Sequence, residues 1–147
     1  MSKVDLTQRP PRSPRVRLGS FVLLPRILDK CRAVVAGKHG EYKFNCPLDE
    51  RFFDFVQVDA EAFKAEVQLG KGDGEMLQWV QQNSRSKPTQ AEIISWSTHQ
   101  EQRAPGDLET REYFSSVHKQ AGPNREDIAT WFDLLDLDDY ASFGGKA

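Results

Sequence analysis

The strongest helical signal in the chain is the stretch LPRILDKCRAVVAG, which runs from Leu24 to Gly37. At 100° per residue its apolar side chains fall on one side of a helix: Leu24, Ile27, Leu28, Cys31, Val34 and Val35. Pro25 suits a first turn, where its missing N–H costs nothing, and Gly37 is placed to end the helix. The other side carries Arg26, Lys30, Ala33 and Gly37, with Asp29 and Arg32 beside it. The stretch therefore predicts an amphipathic helix whose charged face is solvated or meets a partner.

Similar signals continue to the end of the chain. Apolar residues recur at helical spacing in 48–56, 62–67, 76–80, 93–96, 108–120 and 128–135. Predicted N-caps are Asp59, Asp73, Asn124 and Thr89, the last with Glu92 at the spacing of a capping box. Alternating patterns that favour a strand occur only at 41–45 and 21–24. Because helical patterns dominate, we predict an all-α fold. Since the connections are short, we expect a compact single-domain bundle of about six short helices.

The charges are divided along the chain. Residues 1–40 hold nine Lys and Arg against two Asp and Glu, a net charge of +7, and the remainder carries −9. The first residues are rich in Arg and Pro and show no periodicity. We therefore predict a flexible Arg/Pro arm over 1–13, a helical domain over 14–140 and a flexible tail over 141–147. A basic segment joined to an acidic domain is expected to bind a polyanion, another protein or the domain itself.

Composition narrows the class of protein. The chain has 147 residues with nine Phe, three Tyr and three Trp, enough for one packed domain. The tryptophans, Trp79, Trp96 and Trp131, lie on apolar stripes and are predicted as core. The best apolar run, 21–24, is too short for a membrane span, and no targeting signal is seen. Cys31 and Cys46 are too few for a disulfide framework. We expect a cytoplasmic protein with free thiols and no membrane partner.

Two motifs resemble a known family. The opening motif comprises Ser13-Pro14-Arg15, Leu18-Gly19, Leu24-Pro25-Arg26, Asp29-Lys30 and Arg32-Ala33. The closing motif comprises Asp127-Ile128 and Trp131-Phe132-Asp133-Leu134-Leu135-Asp136-Leu137-Asp138. Together they are similar to a small bacterial family catalogued as domain of unknown function 5069. The resemblance covers roughly residues 12–140 and implies a soluble bacterial protein, with no activity, ligand or catalytic residue to carry over.

Cofactor and catalytic signals are weak. The segment from Gly70 to Gly74 lacks the spacing of a phosphate-binding loop. It instead indicates the end of one helix and the start of the next. Cys31, His39 and Cys46 match no zinc spacing, and the Asp136-x-Asp138 pair does not fit an EF-hand. No Gly-x-Ser-x-Gly elbow is present. We predict no metal, no cofactor and no catalytic residue, and we expect the chain not to be an enzyme.

Two functional interpretations follow from the charges. The first is an interaction domain of unspecified role that acts through protein–protein contacts or self-association. The alternative is binding of an anionic ligand, such as a nucleotide, phosphate or RNA, by the N-terminal basic face, although the overall pI of about 5.9 argues against a dedicated nucleic-acid binder. The candidate contact residues are Arg12, Arg15, Arg17, Arg26, Lys30 and Arg32.

The acidic end of the chain offers a counter-surface for these cations. Between Glu126 and Asp139 there are six acids and no base, and the candidates are Asp133, Asp136, Asp138 and Asp139. Their clustering at a helix end is unfavourable unless cations lie nearby. We therefore hypothesise that the basic N-terminal segment packs on this acidic end, in the same chain or in a partner chain.

Overall fold

The computed structural model describes residues 4–147, which form seven α-helices and no strand. The helices are α1 (Leu24–Val35), α2 (Pro47–Val56), α3 (Ala60–Gln68), α4 (Asp73–Asn83), α5 (Gln90–Gln102), α6 (Leu108–Ala121) and α7 (Trp131–Ser142). The all-α prediction is confirmed. The two possible strands are wrong: residues 41–45 form a loop, and residues 21–24 lead from a tight turn into α1.

Helix α1 lies at the centre of the fold, and its boundaries agree with the sequence pattern. Pro25 occupies the first turn, and the N–H of Ile27 donates to the carbonyl oxygen of Leu23 at 2.8 Å. Every residue from Phe21 to Ala33 is buried. Of the two alternatives for the charged face, solvation or contact with a partner, solvation is wrong, because other elements of the chain cover both faces.

Two apolar clusters hold the helices together. The larger one surrounds the apolar face of α1 with side chains from α2 to α5 and from α7; its centre comprises Phe21, Ile27, Leu28, Cys31, Phe52, Phe63, Met76 and Val80. The smaller one joins α6 to α7 and comprises Phe114, Ile128, Leu134 and Leu137. Helix α7 belongs to both, since Phe132 packs in the larger cluster. It therefore fastens the α6–α7 hairpin to the rest of the molecule.

The N-terminal segment is packed against this body. Val4 and Leu6 are buried and form a small cluster with Ala33 of α1. The N–H of Leu6 donates to the carbonyl oxygen of Lys38 at 2.9 Å. Residues 4–13 of the predicted arm thus lie on the domain, while residues 1–3 lie outside the described residues. At the other end, α7 extends to Ser142, so the predicted tail begins inside a helix.

Helix starts follow local hydrogen-bond chemistry. The carboxylate of Asp59 and the capping box of Thr89 with Glu92 are formed as predicted. Asp73 is not a cap, because the N-cap of α4 is Gly72. Asn124 is not a cap either: α7 begins later, where Thr130 Oγ1 accepts from the N–H of Asp133 at 3.1 Å. Among the described residues, no helix has the length and apolarity that a bilayer crossing requires.

Cys31 provides a test of this packing. Its side chain is completely buried, and burial raises the pKa of the thiol to about 12. Cys46 is half-buried. We expect Cys31 to resist a thiol-specific reagent at pH 8 in the folded protein and to react only in denaturant, because the thiolate is the reactive form. A Cys46→Ser variant should therefore show almost no native labelling. Rapid labelling of that variant in buffer would contradict the packing of α1.

Candidate functional site

All six cations predicted as contact residues are bound to carboxylates of the same chain. On one side of α1, Asp73 lies between two of them: its carboxylate is 2.8 Å from Arg12 Nη1 and 2.8 Å from Arg32 Nη1. Arg12 also forms an ion pair with Asp29 at 3.0 Å. The hydrogen bonds from Arg12, and then the one from Arg32, lower the pKa of Asp73. This cluster ties the N-terminal segment and α4 to α1.

Two further ion pairs are almost completely buried. Arg26 Nη1 is 2.7 Å from a carboxylate oxygen of Asp139, with side chains 4% and 10% exposed. Tyr42 donates to the same carboxylate at 2.7 Å, and its pKa is raised by burial and by this bond. Lys30 Nζ is 2.8 Å from Asp49, whose side chain is fully buried. Removing one partner from such a pair typically costs about 3–5 kcal/mol, because the other charge remains buried and unpaired.

The remaining predicted cations form more exposed pairs. Arg15 bonds both Asp133 and Asp136 of α7, the second at 3.1 Å, and Arg17 is 2.6 Å from Glu101 of α5. Surface pairs of this kind contribute about 0–1 kcal/mol each. The contacts of Arg15, together with the Arg26–Asp139 ion pair, place the basic segment on the acidic end within one chain. This is one of the two arrangements that the sequence suggested.

Asp133 and Asp138 differ from the expectation. Asp133 lies in the first turn of α7, where negative charge is favourable, not at a helix end that repels it. Although burial opposes its ionisation, bonds from the N–H groups of Ala129 and Thr130 lower its pKa. Asp138 has no ion-pair partner among residues 4–147, and its pKa is raised by partial burial and by the neighbouring Asp139. The predicted counter-surface is thus three paired carboxylates and one without a cation.

A cleft of about 410 Å³ opens between α2, α6 and α7. Most of its wall is apolar and comprises Pro47, Leu48, Tyr113, Val117, Trp131, Leu134 and Leu135. Trp131, predicted as core, packs on Phe114 with ring centroids 5.3 Å apart and also lines this cleft. The charged side chains in the wall are Arg51, Arg103 and Asp138. An apolar concavity with a few polar groups is the usual form of a ligand site.

The arginines of the cleft bond only uncharged groups among the described residues, Arg51 through its side chain and Arg103 through its backbone. Arg51 of α2 donates from Nε to Oε1 of the buried Gln100 at 2.9 Å. Arg103 follows α5, and its carbonyl oxygen accepts from the N–H of Trp131 at 3.0 Å. Burial lowers the pKa of Arg103, and the positive charge of Arg51 lowers it further. Within residues 4–147 neither guanidinium has a carboxylate within 4.0 Å. The two cations therefore repel each other without a counter-ion.

A second cavity, of about 590 Å³, lies beside the N-terminal segment. Arg12 and Arg32 line it, together with Asp29 and Asp73. Because these carboxylates already bind both guanidiniums, an incoming anion would have to displace them. Over the described part of the chain, no three His, Cys, Asp or Glu side chains are grouped as metal ligands. The α2–α6–α7 cleft is therefore the better candidate for a binding site.

The fold and the cleft together define a helical domain with an apolar, arginine-edged concavity. The chain belongs to the family described as domain of unknown function (DUF5069), which matches residues 8–141. This confirms the resemblance of the opening and closing motifs. A comparison with curated proteins gives no significant match.

The sequence identified the six cations of the ionic network and three of their seven carboxylate partners, but not the cleft. The cations and the α7 carboxylates were named, but Asp29, Asp49, Asp73 and Glu101 were not recognised as partners. Arg51 and Arg103 stand 52 positions apart without a motif, so only the fold brings them together. A weak signal was available: Arg103 follows the predicted 93–96 helix in Gln-Arg-Ala-Pro, and the residues three and four positions before it, Gln100 and His99, are not acids.

Neighbouring carboxylates of α7 provide a matched test of the network. We expect Asp139→Ala to lower the free energy of unfolding by about 3–5 kcal/mol, because it leaves Arg26 buried without a counter-charge. Asp138→Ala should change it by less than about 0.5 kcal/mol, since that carboxylate has no cation. Urea denaturation measures both. Equal losses in the two variants would contradict the assigned pairing.

Proposed function

We propose that this chain is a non-enzymatic binding domain that takes a small anionic molecule into the α2–α6–α7 cleft. The observation that carries the proposal is the pair of arginines, Arg51 and Arg103, at the edge of an apolar cavity without a carboxylate partner within residues 4–147. Two neighbouring cations in a partly desolvated wall are unfavourable until an anion joins them. An anionic ligand would provide that missing charge.

This site differs from the one that the sequence suggested for an anion. The N-terminal basic face carries more cations, but each predicted contact there, from Arg12 to Arg32, bonds a carboxylate. An anion would have to break those ion pairs, two of which are buried. At the cleft it would break none. The geometry therefore favours anion binding at Arg51 and Arg103.

Contact with a partner protein is the second candidate function. It is supported by two large apolar side chains on α6, Leu108 and Tyr113, which are 73% and 63% exposed. Tyr113 also lines the cleft, so a partner could cover its mouth. The support is smaller, because single exposed apolar residues are common on monomers. For the setting of either function we propose the bacterial cytoplasm, on the family resemblance and the two free cysteines.

The anion-binding proposal is tested by NMR titration with small carboxylates and phosphates at millimolar concentration. We expect at least one anion to shift the indole N–H signal of Trp131, because this ring lines the cleft. The Arg51→Ala/Arg103→Ala double variant should lose the shift. Arg125→Ala is the matched control, since Arg125 is an exposed arginine bonded to Asp127 nearby in sequence. Absence of any shift, or unchanged shifts in the double variant, would overturn the proposal.

A further inference from the structure

We infer that the ligand of this cleft is an apolar monocarboxylate, an alkyl or aryl acid, and not a phosphate, a nucleotide or a dicarboxylate. The inference rests on the proposed function and adds the chemical class of the ligand. It follows from the different chemistry of three parts of the cleft: the arginine edge, the apolar wall and the far end at Asp138.

The arginine edge suits a carboxylate head group. Each guanidinium presents donors in a planar fork that matches the two oxygens of a carboxylate. Arg51 uses Nε for Gln100, which fixes the direction of its side chain and leaves both terminal nitrogens without a described partner. Arg103 makes no side-chain bond to another described residue. The edge therefore offers several charged donors to one small anion.

The wall beyond this edge suits an apolar body. Leu48, Val117, Leu134 and Leu135 have no polar side-chain atom, and Trp131 and Tyr113 add two ring faces with centroids 6.4 Å apart. The ribose and base of a nucleotide would lose water there without gaining partners, which is costly for every buried hydroxyl or amide. A methylene chain or a phenyl ring is instead stabilised when it leaves water for such a wall. The wall thus selects against polar ligands.

The far end carries a negative charge. Asp138 lies seven residues after Trp131 on α7, which at about 1.5 Å per residue places it about 10 Å along the helix axis. The N–H of Trp131 bonds the carbonyl oxygen of Arg103, so the backbone of Arg103 lies at the start of α7, away from Asp138. A second carboxylate on a ligand of that length would meet Asp138, which has no ion-pair partner among residues 4–147. The ligand therefore carries one charged end.

A matched ligand series tests these three points. The probes are octanoate, its neutral analogue octanamide, the dicarboxylate octanedioate and adenosine monophosphate, titrated by NMR against the whole chain. Octanoate should bind at least about tenfold more tightly than octanamide or octanedioate, a difference of about 1.4 kcal/mol. The preference for octanoate over octanamide should disappear in the Arg51→Ala/Arg103→Ala variant and be partly retained in Arg103→Lys. The preference for octanoate over octanedioate should shrink in Asp138→Asn. The comparison of octanoate with octanamide uses the wild-type protein, so it does not depend on whether any variant folds.

The outcomes separate the two proposals. If adenosine monophosphate binds more tightly than octanoate and needs Arg103, the function stands and the monocarboxylate class is wrong. An octanedioate affinity equal to that of octanoate also overturns the class while leaving anion binding intact. If octanoate and octanamide bind equally, or if no probe shifts the Trp131 signal, both proposals fail.

Discussion

The cations on the charged face of α1 are buried: Arg26, Lys30 and Arg32. Each of them forms an ion pair with a carboxylate from another helix. An unpaired buried charge is too costly for a domain whose whole stability is about 5–15 kcal/mol. The partners come from α7, α2 and α4: Asp139, Asp49 and Asp73. Since apolar contacts have no direction, these three pairs fix how the surrounding helices are turned about α1. The arrangement of the bundle depends on them.

The same pairing explains the divided charge of the chain and the position of the cleft. Six cations of the first 40 residues form ion pairs with carboxylates, most of them from the remainder of the chain, so the basic segment is a structural element. Through Arg26 and Asp139 it positions α7, which supplies Trp131, Leu134 and Leu135 to the cleft. Arg51 and Arg103 lie outside the network. The cleft thus contains two arginines that form no ion pair with a described carboxylate.

Local chemistry made much of this fold predictable. Helix α1 was located by its apolar stripe, Pro25 and Gly37, and the capping box of Thr89 and Glu92 marked the start of α5. Burial of the charged face was not predictable, because periodicity detects only apolar faces. Its partners stand 19, 41 and 113 positions away. Asp73 and Asn124 were wrongly predicted as N-caps. Both residue types are good caps, but the N-caps of α4 and α7 are Gly72 and Thr130. The cleft arises from tertiary packing alone.

Native-state hydrogen exchange of the α1 backbone amides tests the central claim most directly. If α1 is enclosed on both faces and held by buried ion pairs, its amides from Leu28 to Ala33 exchange only when the whole domain unfolds. Their free energy of opening then equals the global free energy of unfolding measured in urea. The account predicts this equality, with lower values for the outer helix α6. Amides of α1 that open at a free energy well below the global value would contradict it.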